Sequence, residues 1–257
     1  MTLDPLARRG FASAAAAYER GRPGYAPRAV ALVCSELRLD DGSRVLDLAA
    51  GTGQLSRLLV GSVGSLVAVE PSPAMRGVLR EQVPRAAVLD GEAEQLPLPA
   101  ASVDAIVVGE AFHWFSGARA VEELARVLRP GGGLALLWNV LLAFEPPWDD
   151  ELRAIVARRR AAALRDEQRY SSGLWRRALE RSEDFEALAS ASAEHEQQLD
   201  REGLLAQIAS WSYIASLPEP DRAVVLDSAR MLLPAAGAVR WRTDVHWTRR
   251  VSRAAGP

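Results

Sequence analysis

A short glycine-containing turn and an acidic residue that follows it could together hold a nucleoside ligand. The stretch VLDLAAGTGQLS, residues 45–56, predicts a buried strand that leads into a tight turn and then a helix. Glu70 ends the next apolar run, in VAVEPS. In an open α/β sheet the ligand lies at the carboxyl ends of the strands, where small residues let it approach the backbone. Because a carboxylate can accept hydrogen bonds from two ribose hydroxyls, Glu70 indicates an adenosine-type ligand.

Three features separate this ligand from a nicotinamide dinucleotide. The dinucleotide fingerprint G-x-G-x-x-G needs a third glycine for close packing of helix on sheet, and counting from Gly51 that position is Ser56. Asp47 lies at the end of the first predicted strand, where a carboxylate suits a ligand that carries an ammonium and a sulfonium group. After the third predicted strand, the backbone at Glu92 and Ala93 could bind an adenine edge. These features favour S-adenosylmethionine.

One histidine is placed where it could act on a second substrate. His113, in EAFHWF, comes just after the fourth predicted strand, at the edge of the sheet where the ligand is expected. As a general base it could contribute about 100- to 10,000-fold to a reaction in which a phenol, hydroxyl or ammonium group loses a proton. Contact with the substrate and packing in the core are alternative roles. His195 and His246 lie in predicted late strands, and we expect both to be structural.

The elements that position these residues alternate between strands and helices in the first half of the chain. Apolar runs predict strands at 44–49, 65–70, 86–90, 103–109 and 133–139, and helical patterns between them include 54–60 and 72–83. Strands that are apolar on both faces are typical of a parallel sheet with helices on both sides. We therefore predict an α/β fold, with a Rossmann-like doubly wound, seven-stranded, mostly parallel sheet, an antiparallel edge strand and a helical cover.

After residue 139 the pattern changes. Helices are predicted at 148–165, 174–181, 201–214 and 218–234, with Asp200 as a helix cap, and strands are predicted at 191–200 and 238–251. The last of these runs alternates polar and apolar residues and predicts the antiparallel edge strand. The prediction is a single domain over 1–257, with a cofactor-binding core at 28–140. The helical cover, or substrate region, is expected at about 141–190 and 200–235.

Composition excludes several classes of protein. The 257 residues carry a formal net charge of −2, which gives no global basic field for nucleic acid. The single cysteine, Cys34, excludes an internal disulfide framework and a cysteine-based zinc site. We predict no metal site, no secretory signal and no membrane-spanning run, and hence a cytoplasmic protein whose partners include neither nucleic acid nor membrane.

Five blocks, in this order, resemble the class I S-adenosylmethionine-dependent methyltransferases, in the group similar to trans-aconitate methyltransferase and the type 11 small-molecule methyltransferases. The blocks are YERGRPGY, VLDLAAGTGQLS, VAVEPSPAM, GEAEQLPLPAASVDAIVVGEAFHWF and VLRPGGGLALLWN, and the resemblance covers essentially the whole chain. It implies S-adenosylmethionine as the cofactor. It also implies methyl transfer to an oxygen or nitrogen atom of a small-molecule acceptor, for which a carboxylate is one candidate.

The resemblance assigns roles to individual residues. It places Tyr18 and Arg22 in a segment that folds over the cofactor, with Arg22 near the methionyl carboxylate, and Met75 against an adenine face. This chain has Ala49 where the family usually has glycine, and Glu110 where a neutral polar residue is expected. The predicted cofactor-binding residues are Tyr18, Arg22, Asp47, Ala49, Gly51, Gly53, Glu70, Pro71, Met75, Glu92, Ala93, Gly109 and Glu110. The predicted substrate-binding residues are Trp114, Asn139, Trp175, Trp211 and Tyr213, and His113 is the predicted catalytic residue.

Three alternatives remain at this point. The same fold could use bound cofactor in a reaction without methyl transfer, such as a cyclisation or decarboxylation, because fold does not determine function. The chain could also be a cofactor-binding partner subunit without activity, to which the alanine in the turn gives weak support. A nicotinamide-dependent dehydrogenase is disfavoured by the missing third glycine.

Overall fold

The computed structural model describes residues 19, 21–145, 150–163 and 170–252. Within them, one seven-stranded sheet has the order β3-β2-β1-β4-β5-β7-β6. The neighbouring strands from β3 to β5 are parallel, and β7 is antiparallel to both β5 and β6. The strands are β1 (Arg44–Leu48), β2 (Ser65–Val69), β3 (Ala87–Leu89), β4 (Val103–Gly109), β5 (Leu128–Glu145), β6 (Ala189–Asp200) and β7 (Ala236–Arg249).

Helices cover both faces of this sheet. One face packs on α1, α2 and α3, and the other on α4 and α6. The order of the strands reverses between β1 and β4, which is where a ligand is expected in such a sheet. The helices are α1 (Pro27–Leu37), α2 (Gln54–Leu59), α3 (Pro73–Gln82), α4 (Gly117–Val127), α5 (Asp150–Ala163), α6 (Arg177–Glu180), α7 (Arg201–Ser210), α8 (Ser212–Ala215) and α9 (Glu219–Leu232).

The predicted mostly parallel α/β sheet is confirmed, but the position of its last strand was predicted wrongly. β7 lies between β5 and β6, so β6 is the edge. The burial of the two strands explains this order. Along β6 no residue is fully buried, whereas four consecutive residues of β7, from Thr243 to His246, are buried. An interior strand such as β7 is flanked on both sides and covered by helices, whereas an edge strand such as β6 has one side open to solvent.

Besides the two core clusters on the faces of the sheet, a third core cluster joins the helical cover to the carboxyl end of β5 and the amino end of β7. The sequence predicts β5 only for residues 133–139, but the strand continues to Glu145 and pairs there with Ala238 of β7. Leu152, Ile208 and Val225, from α5, α7 and α9, pack with Trp241 of β7. The predicted helix 201–214 is interrupted because Trp211 takes an extended conformation, with ψ of 129°. Within the described residues, none of the helices combines the length and the apolar character of a membrane span.

Candidate functional site

The turn after β1 uses backbone conformations that favour glycine. Gly51 and Gly53 have φ angles of 59° and 91°. A Cβ atom on Gly53 would lie 2.6 Å from Cδ1 of Leu79 in α3, so packing as well as conformation requires glycine there. Ala49 has a φ angle of 56° although it carries a Cβ atom. This is the position at which the family that the sequence resembles usually has glycine, and the left-handed backbone gives the physical reason.

Glu70 joins this turn to the one after β2. Its carboxylate is buried and accepts hydrogen bonds from the backbone nitrogens of Gly51, at 3.0 Å, and Ser72, at 2.8 Å. Burial raises the pKa of Glu70 to about 7, and these two hydrogen bonds act against the rise. Each carboxylate oxygen can accept more than one hydrogen bond. Glu70 therefore keeps acceptor capacity for a ligand after it has fixed both turns.

Asp47 lies beside the same turn and has a partner that the sequence analysis missed. The Ser56 hydroxyl donates to Oδ2 of Asp47 over 2.6 Å, and both residues are buried. Burial raises the pKa of Asp47 to about 7, and the hydrogen bond from Ser56 opposes this shift. In the sequence, Ser56 is a departure from the dinucleotide fingerprint. In the structure it supplies the donor that a buried carboxylate needs.

Residues 21–26, called here the 21–26 segment, lie between the sheet and the cover. A Cβ atom on Gly21 would overlap the backbone of Ala206 in α7, and the backbone nitrogen of Ala26 donates to Oγ1 of Thr243 in β7 over 3.0 Å. At the end of β4, a Cβ atom on Gly109 would overlap the Tyr25 hydroxyl. The segment therefore contacts β4, β7 and α7 at once. Tyr18 lies outside the described residues.

Arg22, Glu110 and Asn139 meet where β4 ends beside β5. Nη1 of Arg22 is 4.0 Å from Oε2 of Glu110, and Nη2 donates to the carbonyl oxygen of Ser210 in α7. The backbone nitrogen of Asn139 donates to Oε1 of Glu110 over 2.5 Å. Burial raises the pKa of Glu110, and the Arg22 guanidinium opposes the rise. The φ angle of Glu110 is 60°, so this position too has the left-handed backbone that favours glycine.

The side-chain amide of Asn139 is engaged with the protein. Its Nδ2 donates to the carbonyl oxygen of Gly24 over 3.2 Å, and its Oδ1 accepts from the Thr243 hydroxyl over 2.6 Å. These bonds fasten the 21–26 segment to β5 and β7. Asn139 is thus placed at the expected edge of the sheet, and its role in substrate binding stays a prediction.

His113 lies in a 3-10 turn, Phe112–Trp114, that follows β4. The indole nitrogen Nε1 of Trp138 donates to its Nδ1 over 3.0 Å. Burial, and to a lesser extent the nearby charge of Arg22, lowers the pKa of His113 to about 3. The ring is therefore neutral at physiological pH. The ring of Trp114 lies 5.1 Å away, centroid to centroid.

Trp138, which donates to His113, belongs to an aromatic cluster. The cluster is formed by Trp138, Tyr170, Trp175 and His246. The ring centroids of Tyr170 and Trp175 are 4.6 Å and 4.5 Å from that of Trp138. The Tyr170 hydroxyl donates to Oδ2 of Asp244 over 2.8 Å and lies 2.9 Å from Nε2 of His246. Burial lowers the pKa of His246 to about 4. Trp175, a predicted substrate residue, is 6% exposed within this cluster.

His113 and Trp175 also border a cavity of about 560 Å³ between α4 and α6.

The alternation of side chains along β5 and β7 could have predicted part of the aromatic cluster. Trp138 of β5 lies opposite Asp244 of β7, and Leu136 lies opposite His246, so these side chains share one face. Nothing in the sequence placed Tyr170 there.

The other predicted residues lie in two places. Met75 is buried in the first turn of α3, Pro71 precedes that helix, and Glu92 and buried Ala93 follow β3, so all four lie near the carboxyl ends of β2 and β3. The rings of Trp211 and Tyr213 stack 5.8 Å apart within the third core cluster, in the cover. Within the described residues, no group of three or more His, Cys, Asp or Glu side chains could hold a metal ion.

Comparisons with known proteins agree with this geometry. A family model described as a methyltransferase domain matches residues 46–136. An uncharacterised methyltransferase of Mycobacterium tuberculosis is 40% identical over 223 residues, which are 87% of this chain and 85% of that protein. A malonyl-[acyl-carrier protein] O-methyltransferase of Methylococcus capsulatus is 43% identical over 99 residues, 36% of each chain. A solved structure from Anaeromyxobacter dehalogenans, provisionally described as a type II methyltransferase, matches with a TM-score of 0.63 and 25% identity, over 90% of this chain and 99% of that one.

Proposed function

Since the chain belongs to the class I S-adenosylmethionine-dependent methyltransferases, we propose that it methylates an oxygen or nitrogen atom of a small molecule, with a carboxylate oxygen as the first candidate. The enzyme class and the cofactor follow from the family. The acceptor is the part that we propose.

The residues at the turn after β1 fit this cofactor. When bound, S-adenosylmethionine supplies a methyl group that its sulfonium already activates. Glu70 lies where it would accept hydrogen bonds from the ribose hydroxyls, and Asp47 is a buried carboxylate that a cationic ligand would keep ionised. Arg22 supplies a positive charge at the end of β4, where it would face the methionyl carboxylate. The chain then has to hold the acceptor atom in line with the methyl group, and such positioning can contribute several kcal/mol to catalysis.

The position of the 21–26 segment is the observation that carries the proposal of a small acceptor. The segment lies so close to α7 that Gly21 has no room for a side chain. Arg22 donates a hydrogen bond to the carbonyl oxygen of Ser210, at the end of the same helix. On its other side, Tyr25 reaches Gly109 at the end of β4. The cover is thus fastened over the edge of the sheet. An enclosed site of this kind favours a small molecule over a large surface.

A carboxylate acceptor is supported by chemistry and by one relative. A carboxylate is ionised at neutral pH, so its methylation needs no base. The name of the Methylococcus relative gives methylation of an oxygen on a malonyl group, whose free end is a carboxylate. His113, the predicted catalytic residue, has a pKa near 3 and is poorly suited to remove a proton at neutral pH.

As partners we propose only the cofactor and this acceptor. A net charge of −2 offers no general attraction for nucleic acid. We propose no membrane partner either, and a cytoplasmic location stays a prediction.

The test begins with calorimetric titration of the purified protein with S-adenosylmethionine and S-adenosylhomocysteine, after a check for copurified ligand. We expect micromolar binding, and Glu70→Ala should weaken it at least tenfold because a charged hydrogen-bond acceptor is lost. Glu81→Ala is the matched control, since Glu81 is an exposed acid in α3. A screen of carboxylates, then hydroxyls and amines, should give one acceptor that gains a methyl group while S-adenosylhomocysteine is released. Tight cofactor binding with turnover on no small molecule would refute the proposal.

A further inference from the structure

His113 is held by a donor that permits only one neutral tautomer. An indole nitrogen can donate a hydrogen bond but cannot accept one. Because Nε1 of Trp138 lies 3.0 Å from Nδ1 of His113, Nδ1 must be the acceptor and the ring hydrogen must be on Nε2. Trp138 is 2% exposed and packs against the rings of both Tyr170 and Trp175, so its indole is fixed.

The groups around His113 keep its ring in this neutral form. The guanidinium of Arg22 lies on the side of the 21–26 segment, where it disfavours a second positive charge. On the other side are the indole of Trp138 and, behind it, the neutral ring of His246. Glu110 is engaged with Arg22 and the backbone of Asn139. Burial, and after it the charge of Arg22, accounts for the low pKa of His113.

Nε2, the second ring nitrogen of His113, is not the atom that faces Trp138. Nδ1 is occupied by Trp138, and Nε2 lies on the opposite edge of the ring and has no hydrogen-bond partner among the described residues. His113 also borders the cavity of about 560 Å³, so space for another molecule lies beside it. A donor of fixed direction thus lies just beyond the end of β4, at the edge of the sheet where the proposed function places the cofactor.

We propose that His113 binds the methyl acceptor by donating a hydrogen bond from Nε2, and that it does not act as a base. This inference rests on the proposed function. In a carboxylate acceptor, one oxygen would receive this hydrogen bond and the other would form the bond to the methyl carbon. As that bond forms, the carbon–sulfur bond breaks and its electron pair stays on sulfur, which becomes a neutral thioether. No proton has to leave the acceptor, so the balance requires no base.

The tautomer can be measured without any acceptor. The chain has three histidines, and in ¹⁵N-histidine-labelled protein the variants His113→Gln and His195→Gln assign their signals. We expect His113 to show a protonated Nε2 and an unprotonated Nδ1, without change from pH 5 to pH 8. Trp138→Phe, which removes the donor, should let the other tautomer appear. A protonated Nδ1 in the native protein, or titration of His113 within this pH range, would overturn the proposal.

Kinetics of two substitutions distinguish a donor from a base. The amide of glutamine can donate from about the position of Nε2, but it cannot accept a proton, and leucine can do neither. With the carboxylate that gives turnover in the screen, beginning with a malonyl thioester, we expect His113→Leu to lower kcat/KM by about 10- to 150-fold. His113→Gln should keep a kcat/KM within about threefold of the native value. Equal losses of kcat/KM in both variants would indicate that His113 acts as a base and would overturn the proposal.

Controls separate this inference from the proposed function. Both variants should bind S-adenosylhomocysteine as the native protein does, and His195→Gln, on the edge strand β6, should leave kcat/KM unchanged. If no small molecule is methylated, the proposed function fails while the tautomer measurement still decides the state of His113. If methylation occurs but the two variants lose activity equally, only the role of His113 is wrong.

Discussion

Ala49 shows how a single residue can be at odds with the turn that it belongs to. Its φ angle of 56° lies in the left-handed region, where a Cβ atom costs about 1–2 kcal/mol. Glycine avoids that cost but gives up more conformational freedom on folding, which offsets part of the gain. We therefore expect Ala49→Gly to raise the free energy of unfolding by up to about 1 kcal/mol, measured by urea denaturation.

Ala50 is the matched control for this substitution. It is the next residue in the turn, and its φ angle is not among the positive ones. Ala50→Gly should therefore lower the free energy of unfolding by about 0.4–1 kcal/mol, because it only adds freedom to the unfolded chain. If both substitutions destabilise the protein equally, Ala49 is not strained and the departure from glycine has another cause.

Single residues also mark the limit of what the sequence could predict about the site. Asp47 and Glu70 were placed correctly at the ends of β1 and β2 because strand ends can be found from apolar runs. Two hydrogen bonds were not predicted. Ser56 donates one to Asp47, and Trp138 donates the other to His113. Both connect residues on different elements, and the direction of a side chain in such a pair depends on packing that no local pattern contains.

At the scale of elements, the 21–26 segment should control cofactor binding through its contact with α7. Gly21→Ala would place a Cβ atom on the backbone of Ala206, which cannot move aside as a side chain could. The segment would separate from α7 and take Arg22 with it. We expect the affinity for S-adenosylhomocysteine to fall at least tenfold in calorimetric titration.

Gly24→Ala tests whether any alanine in this segment has the same effect. A Cβ atom on Gly24 would meet nothing within 4 Å, and the residue has no positive φ angle. Its affinity should match that of the native protein within about twofold. Equal weakening by both substitutions would show that flexibility of the segment, rather than its contact with α7, determines binding.

The elements themselves were largely predictable, whereas their neighbours in the sheet were not. Five apolar runs gave β1 to β5, and Asp200 was confirmed as a helix cap by its 2.7 Å bond from the backbone nitrogen of Gly203. The order of β6 and β7 was predicted wrongly because alternation shows that a strand has an open face but does not show which strand pairs with it. Likewise, the extension of β5 beyond residue 139 depends on pairing with β7, which is distant in sequence.

At the scale of the whole molecule, two buried acids and two buried histidines have opposite effects on stability. The folded pKa of Asp47 and Glu70 is about 7, above their ordinary values near 4, so the folded state holds more protons and stability rises as pH falls from 7 towards 4. The folded pKa values of His113 and His246 are about 3 and 4, below their ordinary value of 6.5, so stability falls as pH falls below 6.5. Each group changes stability by about 1.4 kcal/mol per pH unit within its window. From pH 6.5 to 5 the two acids stabilise the folded protein and the two histidines destabilise it. The raised pKa of Glu110 and the lowered pKa of His195 oppose each other in the same way, so we expect the free energy of unfolding without ligand to be nearly constant.

If the cofactor binds at Asp47 and Glu70 as proposed, it should remove this balance, because it would then require the ionised form of both acids. An ammonium group beside Asp47 and ribose hydroxyls donating to Glu70 both favour the carboxylate, so binding at low pH must first expel protons. We expect the dissociation constant of S-adenosylhomocysteine to increase at least tenfold from pH 7.5 to 5.5, measured by calorimetry. Asp47→Asn should bind more weakly at pH 7.5 and should show a slope that is shallower by up to one proton, since only Glu70 still titrates. A dissociation constant that does not change with pH would mean that the ligand does not need these two carboxylates ionised, and the assignment of Asp47 and Glu70 to the cofactor would have to be abandoned.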